Sequence, residues 1–285
     1  MKLATFTLNK SIQIGIVENN LIFPLNKFKE TIIPENMIEL IENWESYKRS
    51  LKNINVTNEN SIKLDEVILQ SPVLNPKKIM AHGLNYADHI LEMQIAKPKN
   101  QIWFSKPHNT LAGPYDDIKL SKASSQNDYE VELVVVIGKK GKNIKLEDTS
   151  KYIFGFCIGN DISARDWQMR TSQWTLGKSF DGYGSVGPYI TTQDEIGKPD
   201  NLQIMSYVNG VIRQNSNTEN LIFTVPELVV YLSQVMTLEP GDLIFTGTPA
   251  GVGYSMKPPQ FLKNNDRVKC EIEKLGFIQN IFKEE

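Results

Sequence analysis

Tyr129-Glu-Val-Glu-Leu-Val-Val-Val-Ile137 and Phe154-Gly-Phe-Cys-Ile-Gly-Asn-Asp161 decide how this chain is read. Each is an apolar run of strand length, and each carries carboxylates where an apolar surface should continue. Side chains at i and i+2 of a strand share a face, so Glu130 and Glu132 project together, followed on that face by Val134 and Val136. Two adjacent carboxylates entering a buried surface repel each other and are costly to desolvate, so a positive group is expected between them. Asp161, at the end of the second run, is placed to complete an all-oxygen set. By itself it also reads as a turn residue or as the cap of the following segment. Three carboxylates suit a hard cation such as Mg2+ or Mn2+, with Ca2+ also compatible, better than Zn2+.

Working outward, strand-like segments dominate from Lys77 onward: Lys78 to His82, Gln101 to Ser105, Tyr189 to Thr191, Gln203 to Val208, Leu243 to Thr246 and Arg267 to Ile272. The best helix begins at Thr224-Val-Pro-Glu227, a capping box with proline in the first turn. Its buried stripe is expected to be Leu228, Val229, Leu232, Val235 and Met236. Strands and helices do not alternate regularly, which argues against a doubly wound parallel sheet and for a β-rich α+β sandwich or roll. Residues 1 to 70 read as a small N-terminal accessory domain of short strands and one helix carrying Met37, Leu40, Ile41, Trp44, Tyr47 and Leu51. The turn-rich Ser71-Pro-Val-Leu-Asn-Pro76 opens the main domain, 71–285.

Bulk properties exclude more than they identify. A formal net charge of −2 gives no electrostatic reason to expect nucleic acid or an anionic membrane as partner. The first residues alternate like a strand, and no stretch approaches the length of a membrane span, so a cytoplasmic protein is expected. Cys157 and Cys270 each sit alone in apolar segments and are expected as buried thiols.

Other residues are candidates for chemistry. His89 and Glu92 lie three apart on a short helix after the Gly83 turn, where the carboxylate can fix the imidazole tautomer and raise its basicity; an exposed ion pair is the plainer reading of the spacing. Lys106 and Lys178 sit in apolar or glycine-rich surroundings, and near the carboxylates either could offset their charge or hold an anion. Thr246-Gly-Thr-Pro-Ala-Gly-Val-Gly253 lacks the lysine and the following helix of a P-loop, and reads as a glycine-rich wall beside a ligand.

Taken in order, His82-Gly-Leu-Asn-Tyr-Ala-Asp-His89, Phe104-Ser-Lys-Pro107, Asp128-Tyr-Glu-Val-Glu-Leu133, Asn160-Asp-Ile-Ser-Ala-Arg-Asp166, Gly177-Lys-Ser-Phe-Asp181, Gly187-Pro188, Pro240-Gly-Asp242 and Thr246-Gly-Thr-Pro249 resemble the fumarylacetoacetate hydrolase family, in particular its bacterial acylpyruvase-like members. The likeness runs from about Lys77 to the C-terminus. It implies a distorted β-sandwich or roll, a homodimer, and Mg2+ or Mn2+ held by Glu130, Glu132 and Asp161. It further implies water activation by His89 and Glu92 on a lid segment, support of developing negative charge by Gln168 and Lys178, and substrate contacts from Thr248 and Lys106. His82 departs from the small or aliphatic residue usual before the glycine, and is expected to be packed.

The implied activity is hydrolysis of the C–C bond of a 2,4-dioxo acid, an acylpyruvate or a sugar-derived diketo acid, through a metal-bound enolate. The Trp174 to Asp181 stretch points weakly to the sugar acids. Decarboxylation of an oxaloacetate-like acid, and hydration or isomerisation of an unsaturated 2-oxo acid, share the enolate and are not separated by motif. A non-catalytic binding protein on the same scaffold would be marked by loss of His89, Glu92 or a ligand, and all of these are present.

Overall fold

A computed structural model describes residues 1–28 and 34–285. Among these residues the main feature is a large mixed sheet, which runs from one edge through Ile62–Lys63, Leu21–Pro24, Ser11–Glu18, Lys2–Leu8, Gly184–Thr192, Ile153–Asp161, Val131–Ile137, Leu243–Phe245, Ile79–Gly83 and Ile102–Ser105. A second sheet, in the order Val211–Asn217, Gln203–Val208, Arg267–Ile272, Gly276–Glu284 and Ile118–Leu120, packs against its centre. No described helix is long and apolar enough to cross a membrane.

The two faces of Val131–Ile137 explain the layering. Val131, Leu133, Val135 and Ile137 enter a core shared with Ile204, Val208, Val268, Cys270, Ile272, Ile278 and Phe282 of the smaller sheet. Val134 and Val136 enter a second core on the opposite face, and Glu132 precedes them there. Both cysteines are buried free thiols, and burial raises the pKa of each. A strand covered on both sides reads as a continuous apolar run, which is why this segment was legible.

The first seventy residues do not stand apart from this sheet. Lys2–Leu8 pairs antiparallel with Gly184–Thr192, Lys2 opposite Thr191 and Leu3 opposite Ile190. Leu3, Ile14, Phe23, Met37, Leu40 and Leu51 share the second core with Val134, Val136, Phe154 and Ile190. The single helix expected between Met37 and Leu51 is two, Met37–Glu42 and Trp44–Lys52, meeting at Asn43. There the Asn43 amide donates to the Glu39 carbonyl at 3.0 Å, a side-chain bond that ends the first helix.

The capped helix spans Val225–Val235, and the Thr224 backbone N–H donates to Glu227 Oε2 at 2.7 Å. Leu228, Val229 and Leu232 are buried as expected, but Val235 is 67% exposed, and Met236, just past the helix end, is only partly buried. Two long strands escaped the sequence reading, Val211–Asn217 and Gly276–Glu284, as did short ones such as Ile62–Lys63 and Ile118–Leu120.

Candidate active site

Strand register brings the three carboxylates together. Val131 pairs with Asn160, so Glu130 stands opposite Asp161. The Asp161 N–H donates to the Glu130 carbonyl at 2.9 Å, and the Glu130 N–H donates to Asn160 Oδ1 at 3.0 Å. One oxygen from each of Glu130, Glu132 and Asp161 lies within 4.8 Å of the others, and all three residues are buried.

Basic side chains balance two of the three. Lys178 Nζ reaches Glu130 Oε2 at 2.6 Å and Asp161 Oδ2 at 2.7 Å. Lys106 Nζ reaches the other Asp161 oxygen at 2.6 Å. Arg165 Nη1 meets Glu130 Oε1 at 2.6 Å, while its Nε donates to Asp128 Oδ2 at 2.9 Å. Among the described residues Glu132 has no such cation. There its Oε2 accepts only the Gly247 N–H, at 2.7 Å. Gly247 has φ +103°, and a Cβ there would meet Asn85 Cβ at 2.8 Å, so only glycine lets this backbone approach the carboxylate.

The acidities follow from these contacts. Burial pushes Glu130 up, but the charges of Lys178 and Arg165 outweigh it and hold the carboxyl down to about 2. Glu132 is driven well above the usual carboxylate range by burial and by the charges of Asp161 and Glu130. Burial depresses Lys178, yet Asp161 and Glu130 raise it overall; for Lys106 burial prevails and the pKa falls.

This is the arrangement expected of an all-oxygen cation site. Three hard donors converge, and one of them lacks the compensating charge that a bound cation would supply. The residues fit a divalent ion of the Mg2+ or Mn2+ type.

His89, on the helix Ala87–Met93, borders the same cavity, which has a volume of about 230 Å3. Its Nδ1 lies 3.1 Å from Glu92 Oε2. Burial raises Glu92, but the bonds from His89 and from the Gly251 N–H outweigh it, so the carboxyl is ionised near neutrality. An ionised carboxylate only accepts, so in the neutral imidazole Nδ1 carries the proton and Nε2 keeps the lone pair. Asn85 docks the helix by donating to the Thr246 carbonyl at 2.7 Å and accepting the Phe223 N–H at 2.8 Å.

The remaining expected residues divide. Gln168, Lys178 and Thr248 line the cavity with Phe104, Trp174 and Tyr254. Lys106, expected at the substrate, does not line it; its ammonium is enclosed by Asp161 and the Lys178 carbonyl. His82 borders the cavity, with its ring packed edge-on against Trp103 at 5.0 Å and near Phe223, where burial lowers its pKa to about 4.

Three residues that support the site were missed as such: Asp128, Arg165 and Gln214. Gln214 accepts the Val131 N–H and donates to Thr248 Oγ1 at 2.7 Å, clamping the ligand strand to the glycine-rich wall. Arg165 and Asp128 carried a signal, since both belong to quoted motifs. Gln214 carried none, because its partners are far away in sequence.

Comparison with known proteins places this geometry. The model of the fumarylacetoacetate (FAA) hydrolase C-terminal family matches residues 78–283. An oxaloacetate tautomerase of Rattus norvegicus, named as mitochondrial, is 46% identical over 257 residues, covering 90% of this chain and 82% of the relative. A fumarylacetoacetate hydrolase from psychrophilic Exiguobacterium antarcticum superposes with a TM-score of 0.87 at 35% identity, covering 100% of both chains. A maleylpyruvate hydrolase from Sphingobium, solved with manganese(II) and pyruvate, superposes with a TM-score of 0.81 at 30% identity, covering 100% of this chain and 99% of that one. The rat relative's name overturns the cytoplasmic expectation. That expectation rested on features that bear only on secretion and membrane spanning, and these carry no information about other compartments.

Proposed function

Because the chain belongs to the fumarylacetoacetate hydrolase family, we propose that it enolises a small 2-oxo acid, with oxaloacetate the substrate and Glu130, Glu132 and Asp161 the holders of a required Mg2+ or Mn2+. The observation that carries this reading is a single cavity shared by the three carboxylates and by a histidine whose basic Nε2 is set by Glu92. The 46% identical oxaloacetate tautomerase supports the choice of substrate. When bound, a divalent ion supplies Lewis-acid chemistry, drawing electron density from a ketone oxygen.

The chain's own residues do the rest. His89 Nε2 takes a proton from C3, and the C–H electron pair becomes the C2–C3 double bond as the carbonyl pair moves onto oxygen. Lys178 and Arg165 bring positive charge to the cavity wall where that negative charge develops, and Gln168 lies beside them. The proton on His89 passes to the oxygen, directly or by exchange with water, to complete the enol, and the reverse sequence forms the ketone. Trp174, Phe104 and Met93 give the cavity an apolar part of its lining, which strengthens these charge interactions.

C–C hydrolysis of an acylpyruvate or sugar-derived diketo acid is the second reading. It is favoured because the His89–Glu92 pair can equally deprotonate water, and because a hydrolase of similar fold was solved with pyruvate. Decarboxylation uses the same enolate and needs no water. Thr248 serves as a substrate contact in each case. A homodimer built through the main domain belongs to the proposal and rests on family likeness.

The test is a panel of enol-oxaloacetate, acylpyruvates and 3-deoxy-2,4-dioxo sugar acids, assayed with wild type and His89→Ala. Tautomerisation of oxaloacetate should exceed hydrolysis of every other acid, and His89→Ala should slow it by about 10²- to 10⁴-fold. Faster hydrolysis of an acylpyruvate would select the second reading. Unchanged rates in His89→Ala would refute the assignment of the base.

A further inference from the structure

We propose that Lys106 is a positioning residue, which ties Asp161 to the main chain of Lys178 and sets by its charge how strongly the carboxylate cluster draws a divalent ion. This rests on the proposed metal site. Lys106 follows the strand Ile102–Ser105, two residues after Phe104, so its side chain leaves on the face that Phe104 presents to the cavity. It then passes behind the cavity wall. The side chain is wholly buried, and Nζ donates to Asp161 Oδ1 at 2.6 Å and to the Lys178 carbonyl at 2.7 Å. A substrate in the cavity does not meet this ammonium.

Both ends of Lys178 are thereby fixed. Its ammonium is held by Glu130 and Asp161, and its carbonyl is held by Lys106. The passage for the Lys106 stem is made by Gly184, which pairs with Asp161 across the sheet. A Cβ at Gly184 would lie 3.1 Å from Lys106 Cε and 3.1 Å from the Thr110 carbonyl oxygen. Two separate features, a pair of short bonds and a glycine that leaves room for the stem, thus serve the placement of one lysine.

The charges give it a second consequence. With Glu132 ionised, as a bound cation would hold it, Asp128, Glu130, Glu132 and Asp161 face Arg165, Lys178 and Lys106, which leaves the cluster one negative charge in excess. A divalent ion turns that into one positive charge, which suits a dicarboxylate substrate. Without Lys106 the empty cluster is more negative, Asp161 Oδ1 is free, and cations bind more tightly. Lys178, released at its carbonyl, loses its alignment. Affinity for metal and turnover should therefore move in opposite directions.

The experiment compares wild type with Lys106→Met, each stripped with EDTA, dialysed and titrated with Mn2+ by electron paramagnetic resonance, followed by kcat and KM for enol-oxaloacetate. The expected result is Mn2+ binding tightened by about tenfold or more, with kcat down about 10- to 100-fold and KM changed less than kcat. Unchanged or weaker Mn2+ binding overturns the proposal, as does a raised KM at unchanged kcat, which would return Lys106 to substrate contact. Gly184→Ala keeps the charge while crowding the lysine, and should lower kcat several-fold with Mn2+ affinity near that of wild type; wild-type kcat in this variant overturns the positioning role. A wild type that binds no Mn2+ sinks the metal reading itself, a failure visible before any variant is made.

Discussion

Glu132→Gln should stabilise the metal-free protein while destroying its response to metal. Glu132 is the carboxylate with no cationic partner, and its ligand oxygen lies within 4.8 Å of those of Glu130 and Asp161. At an effective dielectric of about 20, each such like-charge pair costs roughly 3 kcal/mol, and Lys178 offsets about one of the two. Removing the charge therefore gains roughly 3 kcal/mol where Glu132 is ionised, or about 6 °C in Tm at about 2 °C per kcal/mol for a chain of this size. The gain depends on pH in a fixed direction. The folded-state pKa of Glu132 lies above that of the unfolded chain, so as pH rises past the unfolded value the folded wild type keeps a proton that the unfolded chain has lost. Its stability declines from there through the folded pKa. The advantage of the glutamine variant is thus absent at low pH and widens with rising pH. Saturating Mn2+ reverses the order, because an ion at about a thousand times its Kd stabilises wild type by about 4 kcal/mol and leaves the variant nearly unaffected. Differential scanning calorimetry in EDTA and in Mn2+, at pH 5 and pH 8, reads all four values. A glutamine variant that melts below wild type in EDTA at pH 8, or a wild type indifferent to Mn2+, would refute this account of the cluster.

Other consequences are open to measurement. Deleting residues 1–70 should give an aggregating or molten product, since it uncovers Val134, Val136, Phe154 and Ile190 and leaves Gly184–Thr192 without its partner strand; a soluble fragment with native near-ultraviolet dichroism would make the N-terminal unit a domain in its own right. Glu227→Ala removes the capping box of Val225–Val235 and should cost about 1 kcal/mol, read as a fall of about 2 °C in Tm with activity unchanged. Light scattering at micromolar concentration should report twice the 32.4 kDa mass of the chain, and a monomer would remove the homodimer from the proposal.

How much of this was legible depended on whether the determinant was local. The Val131–Ile137 and Ile153–Asp161 strands are buried on both faces, so their apolar runs announced them, and the carboxylates stood out against that background. Val211–Asn217 reads Val-Ile-Arg-Gln-Asn-Ser-Asn and lies at a sheet edge, where pairing rather than side-chain pattern makes the strand. The same holds within the site. His89 and Glu92 meet across one helical turn, and their spacing shows it. Gln214 meets Val131 across 83 residues, and nothing near it in sequence marks the contact. Lys106 was legible as a lysine out of place in an apolar segment, but which side of the cavity wall it takes is decided by Gly184, far along the chain. The N-terminal unit looked separate because the turn-rich segment Ser71 to Pro76 follows it, although its strands continue the main sheet.

The central claim is that this cavity enolises a 2-oxo acid only when the three carboxylates hold a divalent ion. It is tested most directly by following hydrogen–deuterium exchange at C3 of oxaloacetate by NMR, with protein stripped by EDTA and then reconstituted with Mg2+. The account predicts exchange at the buffer rate in EDTA, acceleration on adding Mg2+, and no acceleration in Glu132→Gln. Full exchange in EDTA, or buffer-rate exchange with Mg2+ present, would contradict it.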